Sequence, residues 1–185
     1  MEYHQLELCG LVRRLPISHI SAKTRLASFS ILGDVELVDK VADDFAARLK
    51  DEQIEMIVGA ELKAIPLIHG VAKRLGHKRF VVCRKSVRPY MVDPIVLKPL
   101  PYFPKHVKQL VIDGRDAQVL KNKKVAIIDV VVSTGVTLRM INKLMSQVGA
   151  QVVKTLVIIK QGEQFDANLK FSHLAELPIF FKTGT

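Results

Sequence analysis

Apolar positions along the chain change their spacing several times, and each change predicts a new secondary-structure element. After Asp34 the apolar residues recur every three to four positions, which predicts an amphipathic helix that this aspartate caps. Residues 54–60 form a short, continuous apolar run and predict a buried strand. The stretch 64–76, with proline in its first turn and glycine at its end, predicts a helix, and a strand over 79–85 completes a βαβ unit.

An irregular segment, residues 86–108, interrupts this alternation. It holds five of the eight prolines and is too long for an ordinary connector, so it predicts a mobile loop that contains a strand or two. Beyond it the alternation resumes, and the stretch 135–149 predicts another helix. Further strands are predicted at 108–114, 124–131 and 151–160, with a last one at 177–182.

Strands that alternate with helices predict an α/β fold, in which a mostly parallel twisted sheet is flanked by helices. The alternation defines a core over about 34–160. Residues 1–33 and 161–185 fall outside it and predict a small appendage over one end of the sheet. All 185 residues suit a single domain, which is long enough to bury a sizeable hydrophobic core.

Composition narrows the class of protein. Hydrophobic residues make up 49% of the chain, yet no apolar run approaches the ~20 residues that a membrane-spanning helix needs. The first residues lack the basic start and apolar centre of a signal peptide, so we expect a soluble cytoplasmic protein. Cys9 and Cys83 have no metal-ligand spacing, and we expect both to be buried free thiols.

The net charge of +10 predicts a polyanionic partner, which is nucleic acid, an acidic membrane or a phosphate-rich small molecule. The basic residues are scattered over the chain and are not interleaved with aromatic residues on any one helix. No nucleic-acid-binding motif accompanies them. Most of these lysines and arginines are therefore expected on the solvated surface, and nucleic acid is the weaker interpretation.

The stretch IIDVVVSTGVT, residues 127–137, carries the most specific candidate chemistry. Ligands of open α/β sheets bind at the carboxyl ends of the strands, and this strand ends at Asp129 before the chain turns into a helix. Free backbone N–H groups and the helix dipole at such a turn favour an anion, and a phosphate monoester fits. The pattern is neither a P-loop nor a dinucleotide-binding turn. A plain capping turn is the alternative, and the local sequence leaves it open.

Two more strand ends carry cations on the predicted edge. Lys63 lies in GAELKAIP, residues 59–66, between a strand and a helix, and Arg84 and Lys85 end the strand over 79–85. Each cation alone is more often surface charge than part of a site. Three such loops on one edge predict a ligand that has a phosphate at one end and a more anionic group at the other.

The stretch VAIIDVVVSTGVT, residues 125–137, resembles the phosphoribosyl pyrophosphate (PRPP) motif of type I phosphoribosyltransferases, closest to their adenine phosphoribosyltransferase-like branch. That motif joins an apolar strand, acids, small residues and Thr-Gly-x-Thr to a helix. The resemblance covers residues 30–160. It implies that 86–108 is a flexible loop that closes over the site, and that 1–33 and 161–185 form a hood that selects the base.

The resemblance also implies a role for each residue of the motif. Asp129 would bond a ribose hydroxyl and contact a metal indirectly, with Val130 beside it where the family has a second acid. The residues matching the 5′-phosphate loop are Ser133, Thr134, Gly135, Val136 and Thr137. The family's pyrophosphate loop, which often contains a non-proline cis peptide, matches Ala60, Glu61, Leu62 and Lys63, and its pyrophosphate-binding Arg-Lys pair matches Arg84 and Lys85.

The activity that the resemblance implies is transfer of ribose 5-phosphate from PRPP to a purine-like base, with release of pyrophosphate. Adenine is the favoured base, nucleotide salvage the role, Mg²⁺ the cofactor and a homodimer the assembly. No general base is named: Asp93 is the only acid in 86–108, and a surface turn is its simpler explanation. For Tyr90 and Tyr102, packing is favoured over a role at the ligand.

Three positions depart from the family pattern. Val130 replaces an acid, while Val136 and Ala64 stand where glycine is usual. A charged hydrogen bond to a ribose hydroxyl contributes about 1.5–3 kcal/mol, so its loss predicts roughly 10- to 150-fold weaker ribose binding. The alternative function is therefore a catalytically weak PRPP- or nucleotide-binding regulatory protein on the same fold.

Overall fold

The computed structural model describes residues 2–101, 103, 107–163 and 168–181. Within these residues the chain forms eleven strands and four helices. In chain order they are β1 (Tyr3–Leu8), β2 (Leu11–His19), β3 (Thr24–Ala27), α1 (Val35–Leu49), β4 (Met56–Ala60), α2 (Ile65–Arg74), β5 (Val81–Cys83), β6 (Ile95–Leu97), β7 (Leu110–Ile112), α3 (Gly114–Leu120), β8 (Lys124–Val132), α4 (Val136–Gln147), β9 (Gln151–Gln161), β10 (Ser172–Leu177) and β11 (Ile179–Phe181).

A five-stranded parallel sheet in the order β10-β9-β8-β4-β5 forms the core, as the alternation of strands and helices predicts. Its central strands are apolar on both sides because helices cover both faces. Ala126 and Ile128 of β8 pack in the cluster that contains α1 and α2. Val125 and Ile127 pack with α4 on the other face. Among the described residues, no helix has the length and apolar character to cross a membrane.

The helix boundaries follow the capping signals in the sequence. Asp34 caps α1 and accepts a hydrogen bond from the Leu37 N–H at 3.1 Å. The same carboxylate accepts a bond from Arg13 Nε at 2.7 Å, and this bond, followed by that of Leu37, lowers the pKa of Asp34. Because Arg13 lies on β2, the cap of α1 also ties the N-terminal strands to the core.

A four-stranded antiparallel sheet, β1-β2-β3-β11, forms the hood. The chain reaches it from both ends, as expected, but β10 joins the parallel sheet beside β9 instead. The strand predicted over 177–182 corresponds to β11, whereas β10 before it was not predicted, and Lys182 lies outside the described residues. Edge strand β10, with the sequence SHLAEL, is only partly buried and lacks a strong apolar pattern.

The segment predicted as a mobile loop contains strand β6, which pairs antiparallel with β7. Its preceding turn is fastened to α3, a short helix that the apolar pattern did not predict: the Gly114 N–H donates to Val92 O at 2.9 Å and Arg115 Nη2 to Tyr90 O at 2.9 Å. Asp93 is exposed in this turn, which agrees with its interpretation as a surface residue. Tyr102 and residues 104–106 lie outside the described residues, and closure of the loop stays a prediction.

Both cysteines are free thiols. Cys83 is buried as predicted, and burial raises its pKa to about 12. Cys9 is only partly buried, and its pKa is raised mainly by that burial. Neither group is a thiolate near neutral pH, which favours a packing role over a reactive one.

Candidate functional site

A cavity of about 370 Å³ opens where the loops after three parallel strands, β4, β5 and β8, converge. Hollows of about 770 and 830 Å³ occur elsewhere on the described surface, but they are not built from these loops. The smaller cavity collects eight of the thirteen residues that the sequence predicts for the site. Its lining is Leu32, Ala60, Glu61, Leu62, Lys63, Ala64, Lys85, Asp129, Val130, Val131 and Thr137.

The loop between β4 and α2 contains a cis peptide bond between Glu61 and Leu62, in the stretch where the resemblance implies one. Glu61 holds this loop against the end of β5. Its Oε1 accepts the Lys85 N–H at 2.7 Å and its Oε2 lies 2.9 Å from Arg84 Nε, while its own N–H donates to Cys83 O at 3.0 Å. The Glu61 carboxylate is therefore committed to the protein and serves to shape the loop.

The three predicted cations have different surroundings. Lys85 lines the cavity. Lys63 lines it too, and its Nζ donates to Phe29 O at 3.2 Å, which connects the loop to the end of the hood. Arg84 is not among the lining residues, and beyond its ion pair with Glu61 it borders a separate hollow near Tyr90. Of the Arg-Lys pair, the structure thus places only the lysine at the cavity.

Asp129 supplies the carboxylate of the cavity. It is partly exposed near the end of β8, and its Oδ1 accepts the N–H of Val130 at 2.7 Å. Removal from water raises the pKa of Asp129 to about 6, against the opposing effects of the Val130 N–H and of the Lys85 charge. The group consequently titrates close to neutrality.

The turn from β8 into α4 leaves the start of the helix uncapped by any side chain. Gly135 adopts a left-handed conformation, with φ 73°, and α4 begins at the next residue without a side-chain cap. The first N–H groups of a helix have no carbonyl partner within it, so those of α4 are directed out of its end. Thr137 lines the cavity. Ser133 and Thr134 are exposed on the turn beside it and are not among the lining residues.

The positions that depart from the family pattern are mostly core positions. Val130 is 2% exposed and packs in the same apolar cluster as Ala64, which is 1% exposed. Val136 is buried in the first turn of α4 and has an ordinary helical conformation, because the left-handed residue is its neighbour Gly135. No backbone strain therefore follows from the valine at 136.

Two lining residues escaped the sequence reasoning. Leu32 lies between β3 and α1 and reaches the cavity from the hood side, and Val131 follows the acid on β8. Leu32 belongs to no motif, and Val131 lies within the stretch 125–137 at a position to which the motif assigns no role. Periodicity offers no signal for Leu32, because its place depends on how the hood sits on the sheet.

Residues 30–171 match the sequence model of the phosphoribosyl transferase domain family. The chain belongs to the phosphoribosyltransferase family. The adenine phosphoribosyltransferase of Clostridium botulinum strain Loch Maree is 30% identical over 131 residues, which are 71% of this chain and 73% of that protein. The match places this phosphoribosyltransferase in the adenine phosphoribosyltransferase-like branch, as the motif predicts.

Solved structures agree on the fold of this phosphoribosyltransferase. Adenine phosphoribosyltransferase from Leishmania tarentolae matches with a TM-score of 0.64 at 22% identity, covering 76% of this chain and 71% of that one. The Trypanosoma brucei enzyme, solved with AMP, pyrophosphate and ribose-5-phosphate, gives a TM-score of 0.64 at 22% identity, covering 79% and 67%. The type I phosphoribosyltransferase fold, with a parallel sheet and a hood, is thus the fold of this protein.

Proposed function

We propose that this phosphoribosyltransferase transfers ribose 5-phosphate from PRPP to a purine-like base and releases pyrophosphate. The supporting observation is the cavity on one sheet edge, where the Asp129 carboxylate, two lysines and the first turn of α4, through Thr137, converge. These groups match the anionic and hydroxyl groups of PRPP. Adenine is the favoured base because the curated relatives at 30% identity are adenine phosphoribosyltransferases. The product would then be a nucleotide made by salvage.

The proposed reaction displaces pyrophosphate from the ribose C1 by a nitrogen of the base, through an oxocarbenium-like transition state. The N–H groups at the start of α4 hold the 5′-phosphate, and Asp129 accepts a hydrogen bond from a ribose hydroxyl. Lys63 and Lys85 offset the charge that develops on the departing pyrophosphate. Holding the base and C1 in line supplies much of the remaining rate enhancement.

We propose that Mg²⁺ arrives bound to PRPP. The described residues contain no group of three metal-binding side chains, so a resident metal site is not what they would build. Mg²⁺ is commonly held by one or two carboxylates together with substrate phosphates and water. Asp129, the acid of the cavity that is not paired with a cation at bonding distance, suits an indirect contact through such a water.

The proposal is tested by calorimetric titration with Mg²⁺ and PRPP, followed by assay of pyrophosphate release with adenine, other purines, pyrimidines and orotate. We expect PRPP binding and release that depends on a purine. Tight PRPP binding without turnover on any base would contradict the enzyme and favour the nucleotide-binding regulatory protein instead. Salt-sensitive RNA binding without PRPP binding would contradict both.

A matched pair of variants shows whether binding occurs at this cavity. Lys85→Gln removes a cation from the lining, and we expect roughly tenfold weaker PRPP binding, the lower range for a charged hydrogen bond. Lys78→Gln makes the same change at an exposed position outside the cavity and is expected to bind PRPP like the parent protein. Equal effects of the two substitutions would show that only overall charge matters.

A further inference from the structure

The cavity contains few hydrogen-bond acceptors for a sugar. Glu61 and Asp129 are its two acids. Both oxygens of Glu61 are already engaged, one by the Lys85 N–H and the other by Arg84. Asp129 has one oxygen bonded to the Val130 N–H, which leaves its second oxygen as the carboxylate oxygen with no bond to the described protein.

On the side of Asp129 formed by β8 and the neighbouring loop the lining is apolar, while the cations Lys63 and Lys85 lie on the side proposed for pyrophosphate. Val130 and Val131 follow it on β8, and Ala60 and Ala64 come from the neighbouring loop. Val130 is nearly fully buried, so it belongs to a packed apolar floor and is not free to swing away. Valine and alanine side chains offer no acceptor or donor. The hydroxyl of Thr137 lies at the start of α4, on the side proposed for the 5′-phosphate.

A ribose has two adjacent hydroxyls, and this arrangement can recognise one of them. A site rejects an analogue that lacks a hydroxyl when the missing group leaves buried polar atoms of the protein unpaired. An apolar wall has no such atoms, so removal of the hydroxyl that faces it costs little affinity. The discrimination that remains comes from the Asp129 carboxylate, whose second oxygen has no bond to the described protein.

Resting on the proposed function, we infer that the site accepts deoxyribose as well as ribose phosphates. One of the two hydroxyls, the one bonded by Asp129, is required. The other is dispensable, so that either the 2′-deoxy or the 3′-deoxy form of the bound nucleotide is a ligand of nearly unchanged affinity. The class of nucleotides that this phosphoribosyltransferase binds is thereby widened from ribose to one deoxyribose series.

The experiment titrates the protein with four 5′-monophosphates, AMP, IMP, GMP and UMP, and then with the 2′-deoxy and 3′-deoxy forms of the tightest binder. We expect one deoxy form to bind within about fivefold of the parent nucleotide. The other is expected to bind roughly 10- to 150-fold more weakly, as the loss of one charged hydrogen bond predicts.

Asp129→Asn serves as the internal control, because the amide keeps the shape of the carboxylate and its bond from the Val130 N–H. In this variant the penalty for the sensitive deoxy form should shrink to less than about fivefold, since a neutral acceptor forms a weaker bond. The penalty for the tolerated form should stay unchanged.

The outcomes separate the two proposals. If the parent nucleotide binds and both deoxy forms lose more than tenfold, the cavity recognises both hydroxyls and the inference is wrong while the proposed function stands. If both deoxy forms bind like the parent, Asp129 recognises neither hydroxyl and the inference is again wrong. If neither the monophosphates nor PRPP bind, the proposed function itself fails and the inference falls with it.

Discussion

Asp129, the residue proposed to bind a ribose hydroxyl, lowers the stability of the folded protein when it is charged. Its pKa is raised to about 6 by burial, so the folded state holds its proton more tightly than the unfolded chain does. The contribution of a group with a raised pKa is fully present below the unfolded value, near 4, and is lost as pH rises through the folded value. The charged form, which the proposed bond to a ribose hydroxyl requires, is thus present at a cost to the stability of the unliganded protein.

We therefore predict that Asp129→Asn stabilises the unliganded protein at pH 7.5 by about 1–3 kcal/mol, from a pKa shift of about two units. The gain over the parent should be small at pH 4, grow up to about pH 6 and stay constant above it. Urea unfolding at several pH values measures this difference. A gain that does not change with pH would show that Asp129 is not the group responsible.

Val130 illustrates why a motif position cannot be judged from the motif alone. In the sequence this valine stands where the family has an acid. In the structure its side chain is 2% exposed and packs in the core with Ala126 and Ile128. An aspartate there would enter an apolar cluster, where an unpaired charge is costly. Core packing at this position therefore requires an apolar side chain. An aspartate introduced at position 130 without other changes would disturb the floor of the cavity.

At the scale of elements, the start of α4 is where fold and ligand requirements meet. Gly135 has φ 73°, and a Cβ added to it would lie 2.4 Å from Leu169 Cδ2. Two costs would thus follow from any side chain at 135. One is the left-handed backbone, and the other is a shift of the Leu169 side chain, whose terminal methyl group packs against the turn.

We predict that Gly135→Ala lowers the free energy of unfolding by about 2–4 kcal/mol and weakens binding of the 5′-phosphate group. Gly149→Ala is the matched control, because Gly149 has nearly the same φ, 74°, and its nearest neighbour, Lys121 Cγ, lies 3.7 Å away. It should cost only about 1–2 kcal/mol and leave nucleotide binding unchanged. Chemical unfolding and calorimetry measure both effects, and equal losses in the two variants would exclude the contact with Leu169 as a cause.

The elements that sequence reasoning found and missed differ in how much local signal they carry. Helices α1, α2 and α4 bury one face, so the helical spacing of their apolar residues located them. Residues that typically begin or end helices, such as Asp34 and Pro66, marked their boundaries. Helix α3 has seven residues, too few for the helical period to show clearly. Strand β10 is a partly buried edge strand, and its place beside β9 depends on pairing that its own sequence does not encode.

At the scale of the whole molecule, a buried hydrogen bond connects the hood to the sheet. Gln161 at the end of β9 is 6% exposed, and its Nε2 donates to the carbonyl of Ala27 at the end of β3 at 3.0 Å. A buried carbonyl that loses its donor keeps its desolvation penalty. This bond helps to fix the orientation of the hood over the cavity.

Gln161→Leu should therefore lower the free energy of unfolding by about 1–3 kcal/mol, because it leaves the Ala27 carbonyl unpaired. If the hood selects the base, the KM for the base should rise while the affinity for PRPP stays the same. Gln147→Leu, at an exposed position on α4, is the control and should change stability by less than about 0.5 kcal/mol. Denaturant unfolding and steady-state kinetics provide the measurements, and a rise in the Kd for PRPP would show that the damage is not confined to the hood.

The sequence by itself determined strands β4, β5, β8 and β9 of the parallel sheet, the ends of helices α1, α2 and α4, and the turn that leads into α4. These features are encoded by neighbouring residues, through apolar period, turn chemistry and capping side chains. The PRPP motif added the family, and with it the stretch that contains the cis peptide between Glu61 and Leu62.

Tertiary structure alone decided which of the predicted residues face the cavity. Arg84 pairs with Glu61 and borders another hollow, Val130 is packed in the core, and Leu32 arrives from the hood side. The physical reason is that a side chain's surroundings depend on which faces of distant elements meet. The burial of Val130, the ion pair of Arg84 and the raised pKa of Asp129 all depend on contacts between elements that are distant in sequence.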